Sequence, residues 1–465
     1  MAIGYSCSTK FTIIIMEPLY KIKKGLDIRL VGEPELRMEQ APLSAIYALQ
    51  PEDFYGVAPR LKVKEGDSVL AGSPVFVDKA TERIQFVSPV SGTVKAIVRG
   101  DRRKLLRIEI AADRKQAAKE FDVPDLGRAT REEVLSCLLQ TGLFAYFRQR
   151  PYDVTASPAD QPKAVFVSAF SKMPLAADFS FVAQGQEQDF QLGLRVLAKL
   201  APVHLGISPE QINTPLLPVP EVSVSVFEGP NPAGNVGVQI NHVSPVNKGE
   251  VVWTLGAEEV LFIGRLFRTG RVDFTRRVAV GGSRVTAPCY VEAIVGAALG
   301  DVFGSKLSAQ GHVRVVNGNP LVGVRTSAEG YLAAHSTEVC ALPEGDDADE
   351  WFGWIRPRLN DFSTSRSYFS WLQPHSRRYD LDCRVKGGER HMIMSAEYER
   401  VFPMDIYPSY LIKAIISGDI DRQEALGIYE VAPEDFAVAE FICSSKLELQ
   451  RIVREGLDIL RKENA

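Results

Sequence analysis

Between Arg60 and Ile110 short β-branched runs alternate with tight turns. The turns are Glu65-Gly66-Asp67, Ala71-Gly72-Ser73-Pro74, Ser88 to Gly92 and Arg99-Gly100-Asp101. Gly reaches positive φ and Pro presets its own φ, so each turn has a mechanism. The pattern predicts a small barrel of short strands. The preceding stretch, Glu17 to Pro59, is irregular and is interrupted at Gly32-Glu33-Pro34 and Pro42.

Past Ala112 the period changes. Thr130-Arg-Glu-Glu133 reads as a capping box, and Val134, Leu135, Leu138 and Leu139 follow at helical spacing up to Gly142. Lys163-Ala-Val-Phe-Val-Ser168 is a continuous apolar run of the kind buried in a parallel sheet. Phe190 to Leu200 reads as a helix and Val222 to Phe227 as a strand, which together predict a Rossmann-like α/β unit. A loop rich in Gly, Pro and Asn, Phe227 to Gly237, comes next. Val251 to Leu255, Glu259 to Ile263 and Arg276 to Gly282 lead on to Val291–Phe303, which reads as helical with Gly296 and Gly300 as breakers. His312 to Val316 reads as a strand, suiting a β-grasp module. The acidic stretch Ala341 to Glu350 reads as a linker. The remainder is mostly helical, with a capping box expected at Ser445-Lys-Leu-Glu448. Leu449, Ile452, Val453, Leu457 and Leu460 form the apolar stripe of a final helix. The expected class is α/β multidomain.

Composition narrows the chemistry. The 465 residues suffice for three or four domains, and a net charge of −4 gives no electrostatic reason to expect nucleic acid. The six Cys (Cys7, Cys137, Cys289, Cys340, Cys383, Cys443) are scattered without a C-x-x-C pair, which disfavours zinc, a disulfide framework or a cysteine-ligated iron–sulfur cluster. The six His are far apart, and no nucleophile elbow, zinc-protease, Walker or calcium-loop motif occurs. No apolar run approaches the ~20 residues that span a bilayer. Phe11 to Ile15 is too short for a signal-peptide core, so Met16 is a candidate start and residues 1–15 a candidate extension.

The barrel pattern resembles a biotinyl/lipoyl-type barrel-sandwich domain. Lys79 of Asp78-Lys79-Ala80 is the tempting swinging-arm lysine. It lies thirteen residues before Gly92, two farther than in lipoyl domains, and register fixes which way a side chain is displayed. The expectation is an unmodified, solvated lysine. Cys443 is a candidate reactive thiol, with a buried structural Cys as the default.

Taken in order, Lys21-Ile-Lys-Lys-Gly-Leu-Asp27, Phe86 to Gly92, Thr141 to Pro151, Pro174-Leu-Ala-Ala177, Gly229-Pro-Asn-Pro-Ala-Gly234, Gly264 to Gly270, Phe352-Gly-Trp354 and Pro403-Met-Asp405 resemble the NqrA family, the A subunits of the bacterial sodium-translocating NADH:quinone oxidoreductases. Ala425 to Asp435 and Cys443-Ser-Ser-Lys446 add to the resemblance. Two departures stand out. Asn231 replaces the family's His in the Gly-Pro-x-Pro-Ala-Gly loop, and Ser444-Ser445 replaces Pro-Gly. The resemblance implies five segments: an extension at 1–19, a barrel-sandwich domain at 20–112, a Rossmann-like domain at 113–258, an SLBB β-grasp domain at 259–340 and a mainly helical domain at 341–465. It also implies a peripheral subunit on the cytoplasmic face of the inner membrane, within a six-subunit complex. The membrane-embedded B subunit is the chief implied partner, and NADH, flavins and iron–sulfur centres belong to other subunits. Quinone is the implied substrate.

Fold relatives, the NADH-binding subunit of complex I and the C subunit of the Rnf complex, hold FMN and NADH on a glycine-rich loop. In the matching stretch, Gly142 to Pro151, the glycines are replaced by Phe144, Tyr146, Phe147 and Arg148. Glycine lets backbone amides approach a phosphate, so the replacement implies that this chain binds neither FMN nor NADH. Arg148 and Arg150 are candidate anion ligands, with surface ion pairing as the expected role. A quinone headgroup needs an apolar or aromatic slot, and Tyr47, Phe54, Tyr55, Phe144, Tyr146 and Phe147 are the candidate lining residues, with aromatic core as the alternative. The alternative function is a purely structural docking role in the complex without a quinone site.

Overall fold

The computed structural model describes residues 18–217, 219–348, 358–364, 368–374 and 376–464. The candidate start at Met16 and the Phe352-Gly-Trp354 motif lie outside them.

The central layer is a seven-stranded sheet. Its order is Leu19–Lys21, Val222–Glu228, Val203–Ile207, Val165–Ser168, Val252–Gly256, Arg148–Arg150 and Val154–Thr155. The first five run parallel and the last two pair antiparallel. Val165-Phe-Val167 is buried on both faces, as its unbroken apolar run predicts. Val165 and Val167 pack into the main core with helices Glu187–Ala198 and Ala257–Thr269, while Phe166 faces helix Val236–Val243. Helices thus cover both faces, the doubly wound arrangement. The chain builds outward from Val165–Ser168 to Val203–Ile207 and Val222–Glu228, then crosses back to place Val252–Gly256 on the other side. The crossover opens a crevice beyond the carboxyl ends of Val165–Ser168 and Val252–Gly256.

The barrel-sandwich forms as expected. One sheet runs Ile46–Leu49, Leu105–Ala112, Gly92–Arg99, Ser68–Val69, and the other Pro59–Leu61, Pro74–Asp78, Gln85–Val87. Val75, Phe76, Phe86, Val94, Ile108 and Ile110 fill it. Lys79 is exposed after the strand Pro74–Asp78, and its backbone N–H donates to Ala58 O at 2.7 Å.

The third sheet has six strands in the order Val324–Thr326, Val313–Asn317, Glu338–Pro343, Thr275–Gly281, Cys289–Ile294, Met38–Gln40. It corrects one expectation. Val291–Phe303 is not a helix: the strand Cys289–Ile294 occupies its first part, Gly296 turns the chain at φ +83°, and only Leu299–Phe303 is helical. Short apolar runs fit either period, and pairing on both edges with Thr275–Gly281 and Met38–Gln40 decides for the strand.

The irregular Glu17 to Pro59 stretch supplies strands to several sheets: Leu19–Lys21 to the parallel sheet, Met38–Gln40 to the six-stranded sheet and Ile46–Leu49 to the barrel. The segments are therefore interleaved. The expected divisions at 258/259 and 340/341 fall inside helix Ala257–Thr269 and strand Glu338–Pro343. The expected linker accordingly begins as the buried Ala341 and Leu342 of that strand.

Helices Pro408–Ser417, Ile420–Ala425, Ala437–Ile442 and Leu449–Glu463 close the fold around Leu411, Ile412, Phe436, Val453, Leu457 and Leu460. The capping box expected at Ser445 is absent. The last helix starts at Leu449, Ser445 Oγ donates to His391 O at 3.1 Å, and Glu440 Oε2 accepts from Gln450 N at 2.7 Å. A carboxylate from the preceding helix thus takes a first-turn amide that a local cap would have taken. At Thr130 the expected box forms with Glu133.

Candidate functional site

The crossover crevice holds a cleft of about 290 Å³. Phe170, Met173 and Phe179 border it on one side, and Thr254, Glu258 and His335 on another. Crevices at such a crossover bind ligands because helix N-termini point into them. Here both adjoining helix N-termini carry the chain's own carboxylates. At Gly256, the cap of helix Ala257–Thr269, a Cβ would lie 1.9 Å from Glu259 Oε2. At Gly237, in the first turn of helix Val236–Val243, a Cβ would lie 2.4 Å from Asp435 Oδ1. Each glycine gives a carboxylate room to press against a helix terminus, where the dipole favours negative charge. The residues do not fit a phosphate: Glu259 and Asp435 fill the space at the two termini.

Two buried arginines hold these acids. Arg276, 1 % exposed, donates from Nη2 to Glu259 Oε1 at 2.5 Å, and its Nε is 3.3 Å from Glu258 Oε2. Burial pushes the Glu258 carboxyl up to about 8, against the pull of Arg276. Burial opposes the charge of Arg276, but Glu259 and Glu258 hold its guanidinium above the usual range. His335 Nδ1 is 3.9 Å from Glu259 Oε1, and burial depresses its imidazole. Arg150, also 1 % exposed, donates from Nη1 to Asp435 Oδ2 at 3.2 Å and from Nη2 to Glu434 Oε1 at 2.9 Å. Its Nε lies 3.9 Å from Asp153 Oδ1. Burial pushes Asp435 up, whereas at Asp153 Arg148 and Arg150 outweigh burial and hold the carboxyl down.

Residues 20–113 match the NqrA N-terminal barrel-sandwich hybrid domain, 129–272 the NqrA second alpha/beta domain and 277–328 the NQRA C-terminal domain. The A subunit of the Na(+)-translocating NADH-quinone reductase from Serratia proteamaculans is 35% identical over 451 residues, covering 96% of this chain and 100% of that protein. Its counterparts from Rhodopirellula baltica and Neisseria meningitidis are each 34% identical and cover 95% and 96% of this chain, and 98% and 100% of their own lengths. The chain belongs to the NqrA family. A chain of the NAD+-reducing [NiFe]-hydrogenase is also similar, at 11% identity and TM-score 0.38 over 73% of this chain and 67% of its own.

Within this NqrA family member the six aromatic candidates do not form one pocket. Phe144 and Phe147, both 0% exposed, stack at 5.2 Å, and each meets Trp253 edge-on. Tyr47 is core, its hydroxyl accepting from Ser44 N at 3.2 Å. Tyr55 faces the last helix, donating to Asp458 Oδ2 at 2.6 Å beneath Arg454. Phe54 and Tyr146 do meet, with ring centroids 5.7 Å apart, around a slot of about 20 Å³. Tyr146 alone of the six also borders the cleft.

Surface ion pairing is corrected for Arg150, whose contacts are buried; Arg148 is half-exposed and donates to Asp153 Oδ2 at 3.1 Å. Asn231 is 0% exposed, and its side-chain amide has no protein partner among the described residues. Glu258, Glu259, Arg276, His335 and Asp435 were not singled out from the sequence. Glu258-Glu259 after the Val252–Gly256 run was a readable signal, an acidic first turn in a βα unit. Asp435 left none, since only the fold brings it to Gly237.

Proposed function

We propose that this chain is the peripheral, non-redox A subunit of a Na+-translocating NADH:quinone reductase and contributes to quinone binding there. It docks on membrane partners, the B subunit foremost, at the cytoplasmic face, while flavins, iron–sulfur centres and the sodium path reside in those partners. No helix of the described residues is long and apolar enough to cross a membrane, which fits a peripheral place.

The observation that carries the non-redox reading is the crowding of both helix N-termini by the carboxylates of Glu259 and Asp435. Carboxylates on Gly256 and Gly237 take the positions from which a dinucleotide crevice holds phosphate. What remains is a cleft with an apolar wall of Phe170, Met173 and Phe179, polar groups at Thr254 and His335, and Arg148 and Arg150 engaged by Asp153 and Asp435. An uncharged aromatic headgroup suits such a lining, whereas a phosphorylated cofactor does not.

The test is a titration of the purified chain with FMN, NADH and a short-chain quinone, read by ligand-observed NMR with a detergent control. Saturable quinone binding, weakened in Phe170→Ala, with no FMN or NADH binding, is the expected result. Flavin absorbance in the isolated chain, or tight FMN uptake, overturns the non-redox reading. Absence of saturable quinone binding favours the structural-docking alternative, which the burial of Phe144 and Phe147 in the core already suits.

A further inference from the structure

Charge is unevenly divided along the chain. Residues 60–115 carry thirteen Lys and Arg against seven Asp and Glu, a net of +6, whereas the whole chain nets −4, leaving −10 for the rest. This stretch is most of the barrel-sandwich, and its cations lie outside. Lys62, Lys64, Lys79, Lys95, Arg102 and Arg103 are exposed, and none has a carboxylate within ion-pair distance among the described residues. Nearby acids are engaged with backbone: Glu65 Oε1 accepts from Ile97 N at 2.8 Å and Asp67 Oδ2 from Lys64 N at 2.8 Å.

The hairpin of Gly92–Arg99 and Leu105–Ala112 concentrates the effect. Lys95 and Arg99 are exposed at alternating positions of its first strand, leading to the tip Asp101-Arg102-Arg103-Lys104. There Lys104 N donates to Asp101 O at 3.1 Å, and both central residues have positive φ, Arg102 at +52° and Arg103 at +61°. This is the two-residue turn that favours Asn-Gly. Two arginines in the left-handed region are strained, and strain retained at a solvated tip points to a role for the side chains.

We propose that the barrel-sandwich lobe, led by this arginine tip, is an electrostatic docking surface for an anionic phospholipid bilayer. The cations are spread over a rounded lobe with a protruding hairpin. Within residues 60–115 Leu70 is the one exposed large apolar side chain among the described residues. A stable protein interface is built on a desolvated apolar centre, which this lobe lacks, whereas a charged planar surface needs only dispersed Lys and Arg. The proposal goes beyond the reading of the chain as part of a quinone reductase and rests on it for the presence of a membrane; co-purification with membrane partners tests that reading separately.

The experiment is co-sedimentation of the full chain with phosphatidylglycerol/phosphatidylcholine vesicles and with pure phosphatidylcholine vesicles, at low and high salt. The expected result is binding to the anionic vesicles alone, lost at high salt because exposed charges are screened. The double variant Arg102→Asn, Arg103→Gly should bind on the order of tenfold more weakly, since two surface cations are removed. It should melt no lower than the parent, because the replacements suit the turn. Equal binding to neutral vesicles, no binding at low salt, or unchanged binding by a folded double variant overturns the proposal and assigns the lobe's charge to a protein partner.

Discussion

Arg150 and Asp435 stand 285 residues apart in sequence and meet in the interior, Nη1 to Oδ2 at 3.2 Å, with both side chains at most 2% exposed. The contact fastens the C-terminal helical segment to the edge of the parallel sheet. It also sets Asp435 against the N-terminus of helix Val236–Val243, so one pair both joins two segments and places a carboxylate at that terminus. Removing one partner of a buried pair leaves an unpaired charge, and the expected cost of Arg150→Met is about 3–5 kcal/mol. Urea denaturation followed by tryptophan fluorescence checks it. Adding Asp435→Asn to that variant should recover part of the loss, since the orphaned acid is then gone. A single variant as stable as the parent would remove the pair from the list of anchors.

Glu258 yields a pH prediction with a definite sign. Its carboxyl is pushed up to about 8 by burial, from an ordinary 4.5. Between those values the folded chain keeps a proton that the unfolded chain releases. The associated stability is fully present below about 4.5 and lost as pH rises toward 8. Glu258→Gln cannot ionise, so it should match the parent near pH 4.5 and exceed it at pH 8, by an amount on the order of a few kcal/mol. His335, depressed by burial, works in the other direction, losing stability as pH falls through its ordinary range. The variant isolates the Glu258 part because the difference from the parent is taken at each pH. A gap that stays flat with pH would mean that Glu258 ionises normally in the fold.

Phe144 illustrates how far a sequence motif reaches. It is a slot candidate on sequence grounds because it opens the aromatic-rich run Phe144 to Phe147. In the structure it is fully buried between Phe147 and Trp253. Phe144→Ala should therefore cost about 3–5 kcal/mol through the cavity it leaves. Thermal melting is the check, and a melt unchanged within error would return Phe144 to the candidate pocket. Phe170→Ala, at the partly buried cleft wall, is expected to cost far less and is the cleaner probe of ligand binding.

Periodicity was enough wherever one element determines its own surroundings. The Thr130–Glu133 box, the buried run at Val165, the barrel turns and the stripe ending at Leu460 all appear as read. It failed where a distant strand or side chain decides. Val291 became strand because Met38–Gln40 and Thr275–Gly281 flank it, and Leu449 began its helix without Ser445 because Glu440 was already there. The bulky residues after Gly142 were legible in the sequence. The carboxylates at the two helix N-termini were not, since Asp435 is brought to Gly237, and Arg276 to Glu259, only by tertiary folding.

Cysteine chemistry gives the remaining prediction. Of the five described cysteines, Cys137, Cys289, Cys340 and Cys443 are buried and Cys383 is half-buried. Cys443 is 0% exposed, its sulfur lies 2.9 Å from the Tyr398 hydroxyl, and Leu447 N donates to it at 3.4 Å. A sulfur enclosed in this way is a packing element, because an alkylating reagent needs both a thiolate and a path to it. Cys383 has the better access, although burial raises its thiol. Iodoacetamide treatment of the native chain, followed by peptide mass mapping, should modify Cys383 before any of the other four. Cys443 should become reactive only across the unfolding transition. Labelling of Cys443 in a chain that keeps its native melting temperature would show that the helix Leu449–Glu463 opens locally, and would restore the reactive-thiol role considered for it.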